Sequence, residues 1–270
     1  MTPKTDYSPI QTKLKLLFLS TPVGPLGSGL GGGVELTLTN LVQELQRRGH
    51  TLLVTAPADS NSSNIPLVSI AGELQPTVHT QAQASPILMP GNSILAGMWN
   101  YARRVQQDYD LLVNFAYDWL PFYLTPFFSR SIAHFVSMSS LTTAMDQIIH
   151  QVALQFPGTI GVYSQTQSET FPFAKYCRCL GSAVDLSLYQ FCEEAGPWLA
   201  WLGRISPEKG LEDAIAAAQF SQTPLKILGK LEDKDYWRQI CQDYPDAPIE
   251  YLGFRSTVEL QQVLRQCRAL

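Results

Sequence analysis

Short apolar runs alternate along the chain with stretches whose apolar residues recur at helical spacing, the pattern of parallel strands joined by covering helices. The runs Lys15–Ser20, Thr51–Ala56, Pro66–Ile70, Asp110–Ala116, Ile132–Met138 and Thr159–Ser164 are predicted strands. Several are apolar at successive positions, as a strand buried on both faces must be. After the first, Leu36, Leu41, Val42 and Leu45 fall on one stripe, and Arg47-Arg48-Gly49 brings cations and a C-terminal cap, which predicts a helix ending there. Cys177 and Cys179 alternate on a further extended stretch and so share a face, which reads as a buried thiol pair before a metal site.

From Asp185 to Pro197 the sequence turns polar and loses its apolar periodicity, and a new run begins at Trp198-Leu199-Ala200-Trp201-Leu202. The chain is therefore read as α/β with two domains, 1–190 and 191–270. The second set runs strand 198–202, helix 211–220, strand 225–228, helix 235–242, strand 249–252 and helix 257–267. Three strands make an incomplete doubly wound sheet, and strand 198–202 is expected to lie at its edge, apolar on both faces and without the Lys or Pro that protects natural edges.

Composition narrows the classes. The chain has 270 residues, 45% hydrophobic and 16% charged, ordinary for a globular protein. Its net charge of −4 offers no basic field for nucleic acid. Met1–Pro9 lacks an apolar core of signal-peptide length and no run is long enough to span a membrane, so a cytoplasmic protein is expected.

Two loops carry chemistry. Ser20 to Glu35 is rich in glycine, with Gly31-Gly32-Gly33 at the start of the predicted helix, where backbone N–H groups and a helix N-terminus let an anion or sugar approach without a Cβ in the way. Gly27, Gly29 and Gly32 match a dinucleotide fingerprint in form, but the approach from the strand is too long. The acid due at the end of the second strand is also missing: Thr55-Ala56-Pro57 stands there and Asp59 comes later. The other loop is Gly203-Arg204-Ile205-Ser206-Pro207-Glu208-Lys209-Gly210. Ser206 is placed to cap a helix with Pro207 at its first position. Arg204 and Lys209 then sit at the positive end of the helix dipole, a placement that a bound diphosphate would explain and that a solvated surface pair would also satisfy.

Gly203-Arg204, four residues, Lys209-Gly210 resembles the donor-diphosphate motif of family 4 glycosyltransferases. Gly31-Gly32-Gly33-Val34-Glu35 resembles their N-terminal glycine loop, and Leu180-Gly181-Ser182-Ala183-Val184-Asp185 the segment closing their first domain. The resemblance implies two Rossmann-like domains facing a cleft (GT-B type) and transfer of a sugar with retention. Gly31, Gly32, Gly33, Arg204 and Lys209 would bind the donor, a UDP-sugar, with no other cofactor and no metal.

Within that family, Ser20 to Gly29 together with Asn114-Phe115-Ala116-Tyr117-Asp118-Trp119-Leu120-Pro121 resembles cyanobacterial glucosyltransferases that act on tetrahydrobiopterin. This implies glucose as the sugar and a pterin as the acceptor. Tyr117, Trp119 and Tyr123 could stack a flat ring while Asp118 accepts its amino hydrogens, or the aromatics could simply pack under a loop.

Two departures follow. Many relatives place a His where Ser137 stands, with His134 three residues earlier, so Ser137 is an acceptor-side contact and neither is a secure catalyst. The family's paired donor-binding glutamates would fall beyond helix 257–267. A non-catalytic reading therefore stands beside the enzyme: a truncated or UDP-sensing protein that binds nucleotide and transfers nothing. Asp108-Tyr109-Asp110 precedes its strand and Asp233-Lys234-Asp235 leads a helix, so neither suits the Asp-x-Asp metal pattern, and His50, His79 and His150 read as surface residues.

Overall fold

The computed structural model describes residues 12–28, 32–61, 64–76 and 83–270. Contacts divide the chain into two compact units, Met1–Val184 and Asp185–Leu270. The first holds strands β1 (Lys15–Leu19), β2 (Thr51–Pro57), β3 (Leu67–Ile70), β4 (Leu111–Asn114), β5 (Ile132–Phe135), β6 (Ile160–Val162) and β7 (Arg178–Cys179) in the order β3-β2-β1-β4-β5-β6-β7. All the pairings are parallel, with Phe18 opposite Val54 on one side and Val113 on the other. Helices α1 (Gly33–Arg47), α2 (Ile94–Val105), α3 (Trp119–Leu124), α4 (Thr143–Gln155) and α5 (Gln165–Glu169) complete this unit.

The alternation of β1 explains the two-sided core. Leu16 and Phe18 point to one face, with Val54, Val113 and Phe115 and with Leu38 and Val42 of α1. Leu17 and Leu19 point to the other, with Leu112 and with Ile94, Leu95, Met98 and Trp99 of α2. Each such side chain taken from water stabilises the sheet by roughly 1.5–3 kcal/mol, so one five-residue strand anchors helices on both faces. On α1 the buried stripe is Leu38 and Val42, flanked by Leu41 and Leu45, whereas Leu36, expected on it, is 38% exposed. Thr51 opposite Lys15 and the left-handed Gly49 at φ 88° end that helix and turn the chain into β2.

The second unit carries β8 (Trp198–Leu202), β9 (Leu225–Leu228), β10 (Ile249–Gly253) and β11 (Cys267–Ala269), in the order β10-β9-β8-β11, with helices α6 (Leu211–Ser221), α7 (Lys234–Asp243) and α8 (Thr257–Leu264). Two expectations fail here together. The last helix stops at Leu264, and the residues after it form β11, which pairs in parallel with β8 (Cys267 opposite Trp198, Ala269 opposite Leu199). Strand 198–202 is therefore not an edge: β9 lies along one side of it and β11 along part of the other. The core of this unit joins Ile205, Leu211, Ile215, Ala218, Leu225, Ile227 and Ile240.

Candidate functional site

In both units the loop leaving the first strand lies at the point where the strand order reverses, the position at which open α/β sheets bind ligands. In the second unit this loop is short and bolted to its neighbour. Gly203 N–H donates to Leu228 O (3.0 Å), Ile205 N–H to Lys230 O (2.8 Å) and Asp233 N–H to Ile205 O (3.1 Å). Gly203 and Gly229 make the approach possible, since a Cβ on Gly229 would lie 1.8 Å from the Gly203 carbonyl oxygen.

Arg204, with its side chain 27% exposed, holds two carboxylates: it donates to Glu208 at 3.1 Å and pairs with Glu232. Lys209 is exposed and ion-paired to no described residue. Two expectations change here. Ser206 caps nothing: its hydroxyl donates to Glu208 Oε1 (2.7 Å), and Pro207–Lys209 forms a single 3-10 turn. The α-helix starts only at Leu211, after Gly210 in the left-handed conformation at φ 62°. The two cations thus stand one turn ahead of the helix, and the glutamates already supply the countercharge for Arg204.

In the first unit the glycine loop is wound against the turn after β2. Leu26 N–H donates to Ser60 Oγ (2.8 Å) and Asn61 N–H to Leu26 O (2.9 Å). Gly27 is demanded there, since at φ 89° a Cβ would lie 2.4 Å from the Asn61 carbonyl oxygen. Gly31 lies outside the described residues. Gly32, at φ 59° and ψ −135°, precedes α1, and a Cβ on Gly32 or Gly33 would meet nothing within 4 Å. Among the described residues nothing crowds these two glycines, although the Gly32 backbone itself lies where any side chain would be strained.

The Tyr117-Asp118-Trp119 turn follows β4 and is fixed from behind by a buried polar chain. Asn114 clamps the backbone of Ala116, accepting from its N–H (3.1 Å) and donating to its carbonyl (3.0 Å). Asn114 Nδ2 also donates to His134 Nδ1 (3.1 Å), whose Nε2–H donates to Thr125 Oγ1 (2.9 Å), which donates to Pro121 O (3.0 Å). Burial pushes His134 down from 6.5 to about 3, and its ring stacks on Phe122. A neutral, doubly bonded imidazole of this kind is a brace for the turn and no proton carrier at neutral pH.

The turn parts the predicted acceptor residues. Asp118 caps α3 by accepting from Leu120 N–H (3.3 Å) and also accepts from Gln75 Nε2 (2.8 Å), with burial raising its carboxyl above the usual range. Trp119 stacks on Tyr123 at 4.6 Å. Asp118 and Trp119 both line a shallow, open hollow. Tyr117 and Ser137 do not line it. Tyr117 is buried in the α4 core and its hydroxyl donates to Ser139 O (3.3 Å), while Ser137 follows β5, half-buried.

Other side chains settle into structural places. Asp110 accepts from Lys15 N–H (2.8 Å), and Asp233 caps α7 through Asp235 and Tyr236 N–H. His50 accepts from Leu14 N–H (3.1 Å), His150 stacks on Phe173, and His79 lies outside the described residues. The cysteines do not form a buried pair: Cys177 is half-buried ahead of β7 and Cys179 is exposed. Among the described residues no group of three or more His, Cys, Asp or Glu gathers to hold a metal, and no helix is long and apolar enough to cross a membrane.

Sequence reasoning missed Glu208, Glu232 and Gln75. Glu208 carried a signal, its spacing of four from Arg204, but Glu232 and Gln75 reach their partners across 28 and 43 residues of chain.

No family model and no curated protein matches the chain. Among solved structures it is similar to AviGT4, a glycosyltransferase involved in avilamycin A biosynthesis, at 16% identity and a TM-score of 0.55, covering 89% of this chain and 63% of that one. It is also similar to TarM, at 8% identity and a TM-score of 0.63, covering 95% of this chain and 79% of that one. At such identities the likeness carries the fold: two Rossmann-like α/β units of the GT-B glycosyltransferase type.

Proposed function

We propose that this chain is a retaining glycosyltransferase of family 4 that moves a hexose, glucose in the first instance, from a UDP-sugar to a small acceptor such as tetrahydrobiopterin. The observation that carries the reading is the Gly203–Gly210 loop, which presents Arg204 and Lys209 at the reversal point of the second sheet. A guanidinium there forks onto two phosphate oxygens and Lys209 adds a point charge, so the pair offsets the charge growing on a departing UDP without a metal or other cofactor. The open backbone at Gly32 and Gly33 would receive the donor's phosphate or sugar, and the hollow beside Asp118 and Trp119 the acceptor. The test is UDP release and product mass with UDP-glucose and a panel of acceptors including tetrahydrobiopterin. Release that depends on acceptor supports the reading, and no turnover together with no UDP binding by calorimetry overturns it.

A second reading has its own observation. Arg204 is already held by Glu208 and Glu232, as in a chain that binds nucleotide weakly and transfers nothing. UDP binding without turnover on any donor and acceptor would select it.

A further inference from the structure

The hollow in the first unit contains a polar pair that the sequence did not announce. Gln75 is 4% exposed, yet it reaches Asp118 from a segment that α2 and β4 separate from it in the chain. Its backbone N–H donates to Pro22 O (3.0 Å), which fixes the residue against the loop after β1. Its Nε2 spends both hydrogens, on Leu88 O (3.1 Å) and on Asp118 Oδ2 (2.8 Å). Its Oε1 is buried and has no partner among the described residues. The alternative amide orientation is closed, because it would set Oε1 against the Leu88 carbonyl and the Asp118 carboxylate, three acceptors together. The rest of the hollow is largely apolar, with Ile87, Leu88, Trp119 and Met145 in its wall.

The wall that Asp118 and Gln75 form offers acceptors, while the Ser85 and Thr142 hydroxyls line the hollow elsewhere. An ionised carboxylate accepts through both oxygens and has sites left after bonding Gln75 and the Leu120 amide, and an orphaned buried carbonyl is costly until a donor reaches it. A ligand that satisfies this wall carries two neighbouring hydrogen-bond donors on an otherwise flat or apolar face. Adjacent ring N–H and amino groups of a nitrogen heterocycle have that chemistry, and so do vicinal hydroxyls of a sugar.

We propose that Asp118 and Gln75 form a donor-reading pair that selects the acceptor: Asp118 takes the ligand's hydrogens, and Gln75 is the positioning residue that aims the Asp118 carboxylate. This rests on reading the first unit as the acceptor side. The groups acting on Asp118 are burial, which raises its carboxyl, and the hydrogen bonds from Gln75, Leu120 and Trp119, which lower it; among the described residues no charged side chain acts on it. Affinity is therefore lost as pH falls through the raised carboxyl range.

The experiment is calorimetric binding, without any donor, of pterin and of methyl glucoside across pH, with UDP binding measured separately. The separate UDP titration keeps a failure here distinguishable from a failure of the donor site. Pterin binding marks the heterocycle source, and methyl glucoside binding alone the hydroxyl source. With whichever probe binds, D118N weakens affinity about tenfold and flattens its pH dependence. Q75L weakens it and moves the pH midpoint upward, a shift that simple loosening of the loop would not produce. If Q75L fails to fold, D118N, which keeps a cap for α3, decides alone. Binding of neither probe, or wild-type affinity in D118N, overturns the proposal, as does an unmoved midpoint in a folded Q75L.

Discussion

The two units share a strand order, β3-β2-β1-β4 in one and β10-β9-β8-β11 in the other, and place opposite chemistry at the same position. Where the first strand ends, the first unit has a long loop packed onto the β2 turn, with a carboxylate and an indole beside it and no cation at its end. The second has a short loop pinned by three backbone hydrogen bonds that presents an arginine and a lysine. The topology sets where a ligand can go, and the side chains decide its charge. On the proposed reading, the carboxylate side would take a neutral, donor-rich molecule and the cationic loop an anion, the division of labour a sugar nucleotide and its acceptor require.

That contrast breaks most severely at the backbone. Gly229→Ala would drive a Cβ into the Gly203 carbonyl at 1.8 Å, on a backbone at φ 141°. A contrasting glycine in the first unit, Gly33→Ala at the start of α1, adds a Cβ that meets nothing within 4 Å among the described residues. We expect G229A to cost about 3 kcal/mol or more and to strip hydrogen-exchange protection from β8, β9 and β10 while β1 to β6 keep theirs. G33A should change stability by less than about 1 kcal/mol. Equal losses in both variants would show the two loops to be alike in tightness.

The next effect separates the units by pH. His134 is neutral and fully bonded in the folded first unit, with its pKa depressed from 6.5 to about 3, so the unfolded chain takes up the proton first. Its contribution is complete above the unfolded value, is lost progressively as pH falls from about 6.5 toward 3, and changes no further below that. Melting followed between pH 7 and 4 should show the first unit weakening in that window. His134→Gln should flatten the slope, and His134→Ala, which strands Asn114 and Thr125, should cost about 3 kcal/mol at pH 7. An unchanged slope in H134Q would place the acid sensitivity elsewhere.

The parts legible in the sequence and the parts hidden from it differ by physical origin. Strand 225–228 and helix 211–220 were readable because an apolar run and a periodic stripe are local properties. β11 was not, because Cys267-Arg268-Ala269 is three residues without an apolar run, and its pairing with Trp198 and Leu199 makes it a strand. In the site, the Gly-Arg and Lys-Gly spacing is local and Arg204 was found by it, whereas Glu232 and Gln75 act through tertiary approach. Tyr117 and Trp119 are near neighbours of one chemistry, and only the start of α3 at Trp119 decides that one ring enters the core and the other the hollow.

Arg204→Ala tests the anion half alone. Removing a charge-assisted contact should weaken UDP binding by roughly 1.5–3 kcal/mol, tenfold or more, and leave pterin binding untouched. Parallel losses for both ligands would mean that the substitution damages folding and that the division between units is not functional.

The smallest effect is the sharpest test of what the glutamates do. Glu208 and Glu232 hold the Arg204 guanidinium, and a diphosphate that takes the same N–H groups competes with them for it. A partly exposed ion pair contributes about 0–1 kcal/mol, so releasing it should tighten an incoming anion by no more than about fivefold. Glu232→Gln keeps the shape and a hydrogen-bond acceptor and removes the competing charge. We therefore expect E232Q to bind UDP about two- to fivefold more tightly than wild type, with the gain shrinking as salt is raised because the competition is electrostatic. If the glutamates instead orient the guanidinium toward the phosphate, E232Q binds UDP more weakly at every salt concentration. That result would turn Glu232 from a competitor into part of the donor site, and the second unit would then resemble the first, where Gln75 orients Asp118.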